Sequence, residues 1–570
     1  MRCEVWAPNA STVELVTGSG RTSLSVRGDG WFVGPEVPSG LDYRFAVDGG
    51  EPLPDPRSPW QPEGPHGSSR ALDHTEFQWT DQAWRGSSLP NAVIYECHIG
   101  TFTEEGTFDA AIHKLPHLID LGVTAIELMP VVEFSGRRGW GYDGVDLFAP
   151  HHSYGGPDGL KRLIDAAHGL GLSTIVDVVY NHFGPDGNYV SNFGPYFTDR
   201  YATPWGQAIN FDGPDSDEVR RFFVDNALMW LRDYHFDGLR LDAIHAILDG
   251  SALHILEQLK HEVVELESVL GRTLWVIAES DLNDPRIVER VGAGGYGLDA
   301  QWSDDFHHSI HALLSGEVTG YYADFGSLRH LAKALGHAFV YDGIHSGFRR
   351  RVHGRSTDGI PGHRFLGYAQ NHDQIGNRAK GDRLGALVSP DLLKVTAALV
   401  MTAPFIPMIF QGEEWGALTP FLYFTDHNDE LGRLVTEGRK REFAAFGWSE
   451  DEIPDPQAPG TFEVSKLRWA DVEDPLHADL LAWHKALIQL RTSSPDLIDG
   501  RMDLVEVDFD EDERWLVMRR GAITVACNFG PDEVTIPLND QRTAELLLTS
   551  GKDPDGNSLA PASVSIWCER

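Results

Sequence analysis

Eight short, near-continuously apolar runs spread through the middle of the chain limit its fold more than any other feature. They are VIYECHIG (93–100), VTAIELMP (123–130), STIVDVVYNH (173–182), FDGLRLDAIH (236–245), TLWVIAES (273–280), LDAQWSDDF (298–306), HRFLGYAQNHD (363–373) and PFIPMIF (404–410). A strand buried on both faces loses the alternation of apolar and polar residues, as in parallel sheets covered by helices. Between most of the runs lie segments of helical spacing, such as PDGLKRLIDAAHGLG and DEVRRFFVDNALMWLRDYH. Eight such βα units predict an α/β fold closed into a (β/α)8 TIM barrel rather than an open sheet.

The texture differs on both sides of this region. Short alternating runs with Gly, Asp and Pro turns (VELV, WFVG, DYRFAVDG) predict an N-terminal β-sandwich over residues 1–88, including a proline-rich irregular stretch from Leu53 to Pro65. The barrel is expected over 89–496. From 497 to 570 the runs MDLVEVDF, RWLVMRR, ITVACNF and VTIPL predict a second small β-domain, a C-terminal β-sandwich.

Charge and composition narrow the function. With 47 basic against 85 acidic side chains the chain carries a formal charge of −38, which disfavours nucleic acid and anionic membrane as partners and is neutral toward an uncharged substrate. The most apolar stretch, Val395 to Phe410, is interrupted by Pro404 and Pro407 and is too short to span a bilayer. The first residues, MRCEVWAPNASTVELV, have no apolar core of a secretory leader, and Cys3, Cys97, Cys527 and Cys568 have no paired spacing. A cytoplasmic protein with free thiols is expected, in which the Asn9-Ala10-Ser11 sequon has no role.

In a parallel barrel, polar residues just past the C-terminal ends of the strands line the mouth. Here those ends carry Asn181-His182, Arg240 and Asp242 with His245, Glu279, Asp304-Asp305, and Asn371-His372-Asp373. Asp242, Glu279 and Asp373 come from three different strands and are expected to converge. Glycoside hydrolysis with retention needs this kind of set: one carboxylic acid to protonate the leaving oxygen, and a carboxylate roughly 5–5.5 Å from it to attack the anomeric carbon. Arg240 precedes Asp242 by two residues, so both side chains point the same way on a strand, and the cation favours an ionised nucleophile. The apolar approach Leu274-Trp275-Val276-Ile277 is consistent with a Glu279 that starts the cycle protonated.

The segments DVVYNH (177–182), DGLRLDAIH (237–245), VIAES (276–280) and QNHDQ (370–374) resemble the four signature regions of the α-amylase superfamily, in order. The resemblance implies Asp242 as nucleophile, Glu279 as general acid/base and Asp373 as the stabiliser of the transition state. Arg240, His182 and His372 match its pocket residues, and Tyr142 of GYDG matches the tyrosine that stacks under the sugar. The family architecture of sandwich, barrel and sandwich covers both flanks, with an immunoglobulin-like, carbohydrate-associated N-terminal module.

Within the superfamily, RRGWGYDGVDLFAPHHSYGGPDGLK (137–161), ESDLNDPR (279–286), WSDDFHH (302–308) and NHDQIGNRAKGDR (371–383) look most like the malto-oligosyltrehalose trehalohydrolases. That implies release of trehalose by cleavage of the α-1,4 bond next to a terminal trehalose unit. Substrate contacts would then come from Arg240, Leu241, Ala243, Ile244 and His245; from Asp304, Asp305, Phe306, His307 and His308; and from His372, Gln374, Ile375, Gly376 and Asn377. Trp140 and Trp415 are candidate stacking surfaces. Glycogen branching enzyme is the nearest alternative, but its usual His-Asp-Glu is here His372-Asp373-Gln374. The resemblance implies no cofactor, functional coupling to a maltooligosyltrehalose synthase, and a monomer or homodimer.

Two other signals are set aside. The GxGxxG match at Gly292–Gly297 lies after a helical pattern and before a strand, the reverse of a dinucleotide fingerprint. His307, His308 and His311, and likewise His151-His152, lack an HExxH spacing or a cysteine partner, so no metal centre is expected.

Overall fold

The computed structural model describes residues 2–444, 453–537, 544–554 and 556–569. Eight parallel strands close into a barrel: β1 (Ile94–Cys97), β2 (Ala125–Leu128), β3 (Ser173–Val178), β4 (Gly238–Leu241), β5 (Trp275–Ala278), β6 (Ala300–Trp302), β7 (Phe365–Tyr368) and β8 (Ile406–Phe410), with β8 pairing back onto β1. Each lies within one of the eight apolar runs.

The two-residue period of a strand explains the barrel's chemistry. Ile94, Ala125, Ile175, Ile277, Trp302, Tyr368 and Met408 belong to one buried apolar cluster inside the barrel. Two residues further along, the inward position becomes Glu96, Glu127, Asp177, Glu279, Asp304 and Gln370, while β8 keeps an apolar residue, Phe410. On β4 the same step runs from Gly238 to Arg240, whose register partner on β3 is Asp177. The apolar plug thus gives way to a charged layer at the C-terminal mouth. The alternate residues, among them Val176, Leu239, Leu241 and Val276, join the core shared with the surrounding helices.

Local signals set the helix boundaries. The helix Pro390–Thr402 starts with Ser389 accepting from the Leu392 amide and with proline in its first turn. Its last carbonyls are met by two buried arginines from later in the chain. Arg491 donates to Met401 and Ala403 at 2.8 and 3.0 Å, and Arg520 to Thr402 and Ala403 at 2.7 and 2.9 Å. These cations satisfy orphan groups at the negative end of the helix dipole and tie the C-terminal part to the barrel.

On the N-terminal side, a three-stranded sheet (Arg2–Trp6, Trp31–Glu36, Ser25–Gly28) faces a four-stranded one (Gly20–Ser23, Val13–Thr17, Asp42–Val47, Ser69–Arg70). Cys3, Val5, Leu15, Phe32, Tyr43 and Phe45 pack between them, and Trp6 meets the barrel edge-on at Tyr196. At the other end, a five-stranded antiparallel sheet (Val505–Asp510, Trp515–Arg520, Ile523–Asn528, Ser563–Glu569, Ala544–Thr549) packs one face on the helices of the barrel. Its other face buries Val517, Ala526 and Trp567 against Ile536 and Leu559. The four cysteines are free. Among the described residues no helix is long and apolar enough to cross a membrane.

Three excursions from the strand ends shape the mouth. They are a two-stranded ribbon after β2 (Val132–Phe134 with Gly144–Pro150), a hairpin after β3 (Phe197–Thr203 with Gly206–Ile209) and a hairpin after β6 (Asp342–Ser346 with Arg351–Gly354).

Candidate active site

Arg240 is fully buried and holds the centre of the mouth. Its Nη1 donates to Asp177 Oδ2 at 2.6 Å and to Asp242 Oδ1 at 3.1 Å, and its Nη2 donates to Glu279 Oε2 at 2.9 Å. The guanidinium lies over the Trp302 ring, 4.2 Å from its centroid. Only a planar fork can meet three carboxylates at once in this way.

Asp242 follows the last residue of β4, and its second oxygen accepts from Asn181 Nδ2 at 2.8 Å. The next residue, Ala243, has φ +39°, a left-handed conformation that costs a non-glycine residue of order 1–3 kcal/mol and concentrates at functional sites. This turn aims the Ala243 amide at Glu279 Oε2, 2.8 Å away. Glu279 Oε2 therefore accepts from two donors, leaving Oε1 to carry a proton. Burial pushes the Glu279 carboxyl well above the usual carboxylate range despite the opposing pull of Arg240.

Asp373 behaves in the opposite way. Burial disfavours its charge, but His372 beside it, then Arg240 and Asn377, outweigh that and hold it at about 2. His372 Nδ1 is hydrogen-bonded to the buried Glu96 of β1, and its amide donates to the other Glu96 oxygen at 3.1 Å. Burial alone would lower the imidazole pKa, yet Asp373 and Glu96 raise it well above its ordinary value, which favours the charged ring. The Tyr142 ring stacks on that of His372 at 5.2 Å and 22°. Its hydroxyl donates to Asp177 at 2.6 Å and lies 2.7 Å from His372 Nε2. His182 bonds Asn181 and stacks on Trp205, a half-exposed indole of the hairpin after β3, at 5.2 Å and 9°.

The structure thus brings Tyr142, His182, Arg240, Asp242, Glu279, His372 and Asp373 into one connected network. Asp304 adjoins it, bonded to the Tyr368 hydroxyl and 3.5 Å from Gln374 Nε2, and burial raises its carboxyl to about 6. Asn377 donates to Asp373 Oδ1 at 3.1 Å. His245 accepts from the Asp281 amide at 3.4 Å, at the start of the loop after β5.

Other residues expected at the mouth serve the framework. Leu241 falls on the outward period of β4, against the helices. Ile244 packs in that same core, and its amide donates to the Glu279 carbonyl. Phe306 packs on Phe405. Asp305 Oδ2 accepts from the amides of Val340 and Tyr341 and from Asn283, fixing the segment that follows the helix Leu328–His337. His307 bridges the Ala369 carbonyl and the Tyr322 hydroxyl, and His308 packs among Tyr321, Tyr322 and Phe325. Ile375 is buried with Trp140 and Phe421, and Gly376 leaves room for the Trp140 ring. Trp140 donates to the Leu422 carbonyl, while Trp415 is fully buried against Trp469. Neither indole offers a free face to the mouth. In the Gly292–Gly297 run the amides from Ala293 to Gly297 are all bonded to nearby carbonyls, which leaves none of these five to cradle a phosphate.

Sequence reasoning passed over Glu96, Asp177 and Trp205. The first two had a readable signal, an acid inside a strand buried on both faces. Trp205 had none, because only the hairpin fold brings it onto His182.

This geometry defines a glycosidase of the α-amylase class. The alpha amylase catalytic domain model matches residues 75–201, and a domain of unknown function (DUF3459) matches 502–566. The chain is 50% identical over 547 residues to the malto-oligosyltrehalose trehalohydrolase of Arthrobacter ramosus, covering 94% of each chain. It is 48% identical over 545 residues to that of Mycobacterium tuberculosis, again 94% of each. A crystal structure from Salmonella typhimurium described as an alpha amylase superposes with a TM-score of 0.93 at 39% identity, covering 100% of this chain and 97% of the other. The chain belongs to the malto-oligosyltrehalose trehalohydrolase family.

Proposed function

We propose that the chain is a retaining hydrolase that cleaves the α-1,4-glucosidic bond next to the terminal trehalose of a maltooligosyltrehalose, releasing trehalose and a maltooligosaccharide in trehalose biosynthesis. The observation that carries the chemistry is the shared guanidinium of Arg240, which holds Asp242 and Glu279 on one cation while leaving Glu279 Oε1 free for a proton.

In the first step Glu279 gives that proton to the glycosidic oxygen as an Asp242 oxygen attacks the anomeric carbon, and trehalose leaves. In the second, Glu279 removes a proton from water, which displaces Asp242 and frees the maltooligosaccharide with the α configuration restored. Asp373, held ionised by the His372 imidazolium, hydrogen-bonds the hydroxyls of the reacting ring, and Tyr142 and His182 line that subsite. Trp205 offers its exposed indole face to a pyranose ring. A pocket of fixed donors and acceptors discriminates strongly against substrates that leave its groups unpaired. The trehalose unit is read by groups around Asp304, Gln374 and Asn377.

The three units are taken as 1–88, 89–496 and 497–570, the first being a carbohydrate-associated module. The enzyme works in the cytoplasm as a monomer or homodimer, downstream of a maltooligosyltrehalose synthase. End-product analysis with maltotriosyltrehalose and, separately, maltopentaose tests the reading. Fast trehalose release from the first with little product from the second, abolished in Asp242→Asn, is the expected result. Equal cleavage of both would remove the trehalose specificity, and new α-1,6 linkages formed on amylose would mean branching.

A further inference from the structure

A second cluster of ionisable groups lies at the base of the ribbon after β2, outside the catalytic network. Glu133 on the first ribbon strand is the register partner of Asp146 on the second, so their side chains share one face. Both are buried, at 0% and 4% exposure. Like charges directly opposite each other destabilise a strand pair, and burial multiplies that cost unless a cation compensates. Gln61 Nε2, 3.5 Å from Asp146, is a neutral partner and does not neutralise the pair.

Two imidazoles stand against Glu133. His152 Nδ1 lies 2.7 Å from Glu133 Oε1, and His151 Nδ1 lies 3.2 Å from the same oxygen. One ligand atom from each of the three residues falls within 4.8 Å of the others. His151 is fully buried against Phe134 and Tyr154; its Nδ1 meets Glu133 alone, and its Nε2 has no hydrogen-bond partner among the described residues. A buried polar group prefers a full set of partners, and the protein leaves this ring with one.

We propose that Glu133, His151 and His152 form a binding site for one divalent cation of the zinc class. Two imidazoles and a carboxylate are a favoured donor set for such ions. Bonds of ~2.0–2.1 Å in a tetrahedral site place ligand atoms about 3.3 Å apart. The Glu133–His151 spacing already matches, and His152 needs to withdraw by about half an ångström from its hydrogen bond. The site is structural. The loop between the two ribbon strands, residues 135–143, carries Trp140 and Tyr142, and His152 opens the turn that leads into the helix Gly156–Gly169. An ion here would clamp the ribbon to that turn and fix the loop presenting Tyr142 to His372.

Chelator-stripped protein titrated with Zn2+ alone in a calorimeter tests the site, with Co2+ as a spectroscopic probe. One ion per chain and the strong visible bands of four-coordinate Co2+ are expected. His151→Phe, which keeps the packing volume, and His152→Gln, at a partly exposed position, should each weaken binding by more than the ~100-fold that loss of an outer-shell partner costs. Near-UV circular dichroism identifies which variants are folded. No Zn2+ binding by the wild-type chain, or binding unchanged in both folded variants, overturns the proposal.

Discussion

Glu279 Oε2 lies 2.9 Å from Arg240 Nη2, on the oxygen that also takes the Ala243 amide. Burial nevertheless raises this carboxyl well above the usual carboxylate range. The proton is lost as pH rises through the raised pKa, so kcat/KM should fall on the alkaline side of its optimum. Glu279→Gln should lower kcat/KM by about 100- to 10,000-fold and remove that limb. A pH–rate profile of both proteins checks it, and an alkaline limb persisting in the variant would assign the titration to another group.

Trp205 presents a half-exposed ring parallel to His182 and makes no other ring contact among the described residues. Trp205→Ala should raise KM by up to about 10-fold, the equivalent of ~1.4 kcal/mol of stacking, with a smaller change in kcat. Steady-state kinetics on maltotriosyltrehalose separate the two. A large kcat loss at constant KM would place Trp205 in the transition state instead.

Gly141 sits just before Tyr142 with φ +99°, and a Cβ there would lie 2.2 Å from the Pro130 carbonyl oxygen. Gly141→Ala forces the backbone away and moves Tyr142 off His372. Overpacking of this kind costs about 1–3 kcal/mol, and activity should drop more steeply than thermal stability. Melting curves read beside kcat/KM would show it.

At the far end of the barrel the fully buried side chain of His168 bridges Asp81 at 2.8 Å and Asp237 at 3.0 Å. Burial opposes its charge, but the two carboxylates win and raise its pKa above 6.5. Its contribution to stability is therefore complete below about pH 6.5 and is lost as pH rises through the folded value. Asp81 is shifted down against its own burial by His168 and His235, so its contribution is present above about pH 4 and lost as pH falls through its depressed pKa. Tm should peak between these limits, and His168→Gln should flatten the alkaline decline, as a calorimetric scan across pH would record.

The barrel was legible because strands buried on both faces leave an unbroken apolar record, and Asp242, Glu279 and Asp373 because strand ends in a parallel barrel share one mouth. What escaped the sequence depends on side-chain direction and on distant contacts. Leu241 was expected at the substrate because the family resemblance carries over the whole stretch Arg240–His245, yet the two-residue period of β4 turns it outward. Asp305, His307 and Trp140 are polar or aromatic groups at the right place in the chain that spend their hydrogen bonds on loops. The Glu133–Asp146 pairing was invisible until the ribbon register placed two acids face to face.

Asp242 as nucleophile has a direct stereochemical consequence. Proton NMR of maltotriosyltrehalose during the first minutes of hydrolysis distinguishes the anomers of the new reducing end before mutarotation mixes them. The α-anomer appearing first is the expected result, since two displacements at one carbon restore its configuration. The β-anomer appearing first would mean a single displacement by water and would contradict a glycosyl-enzyme on Asp242.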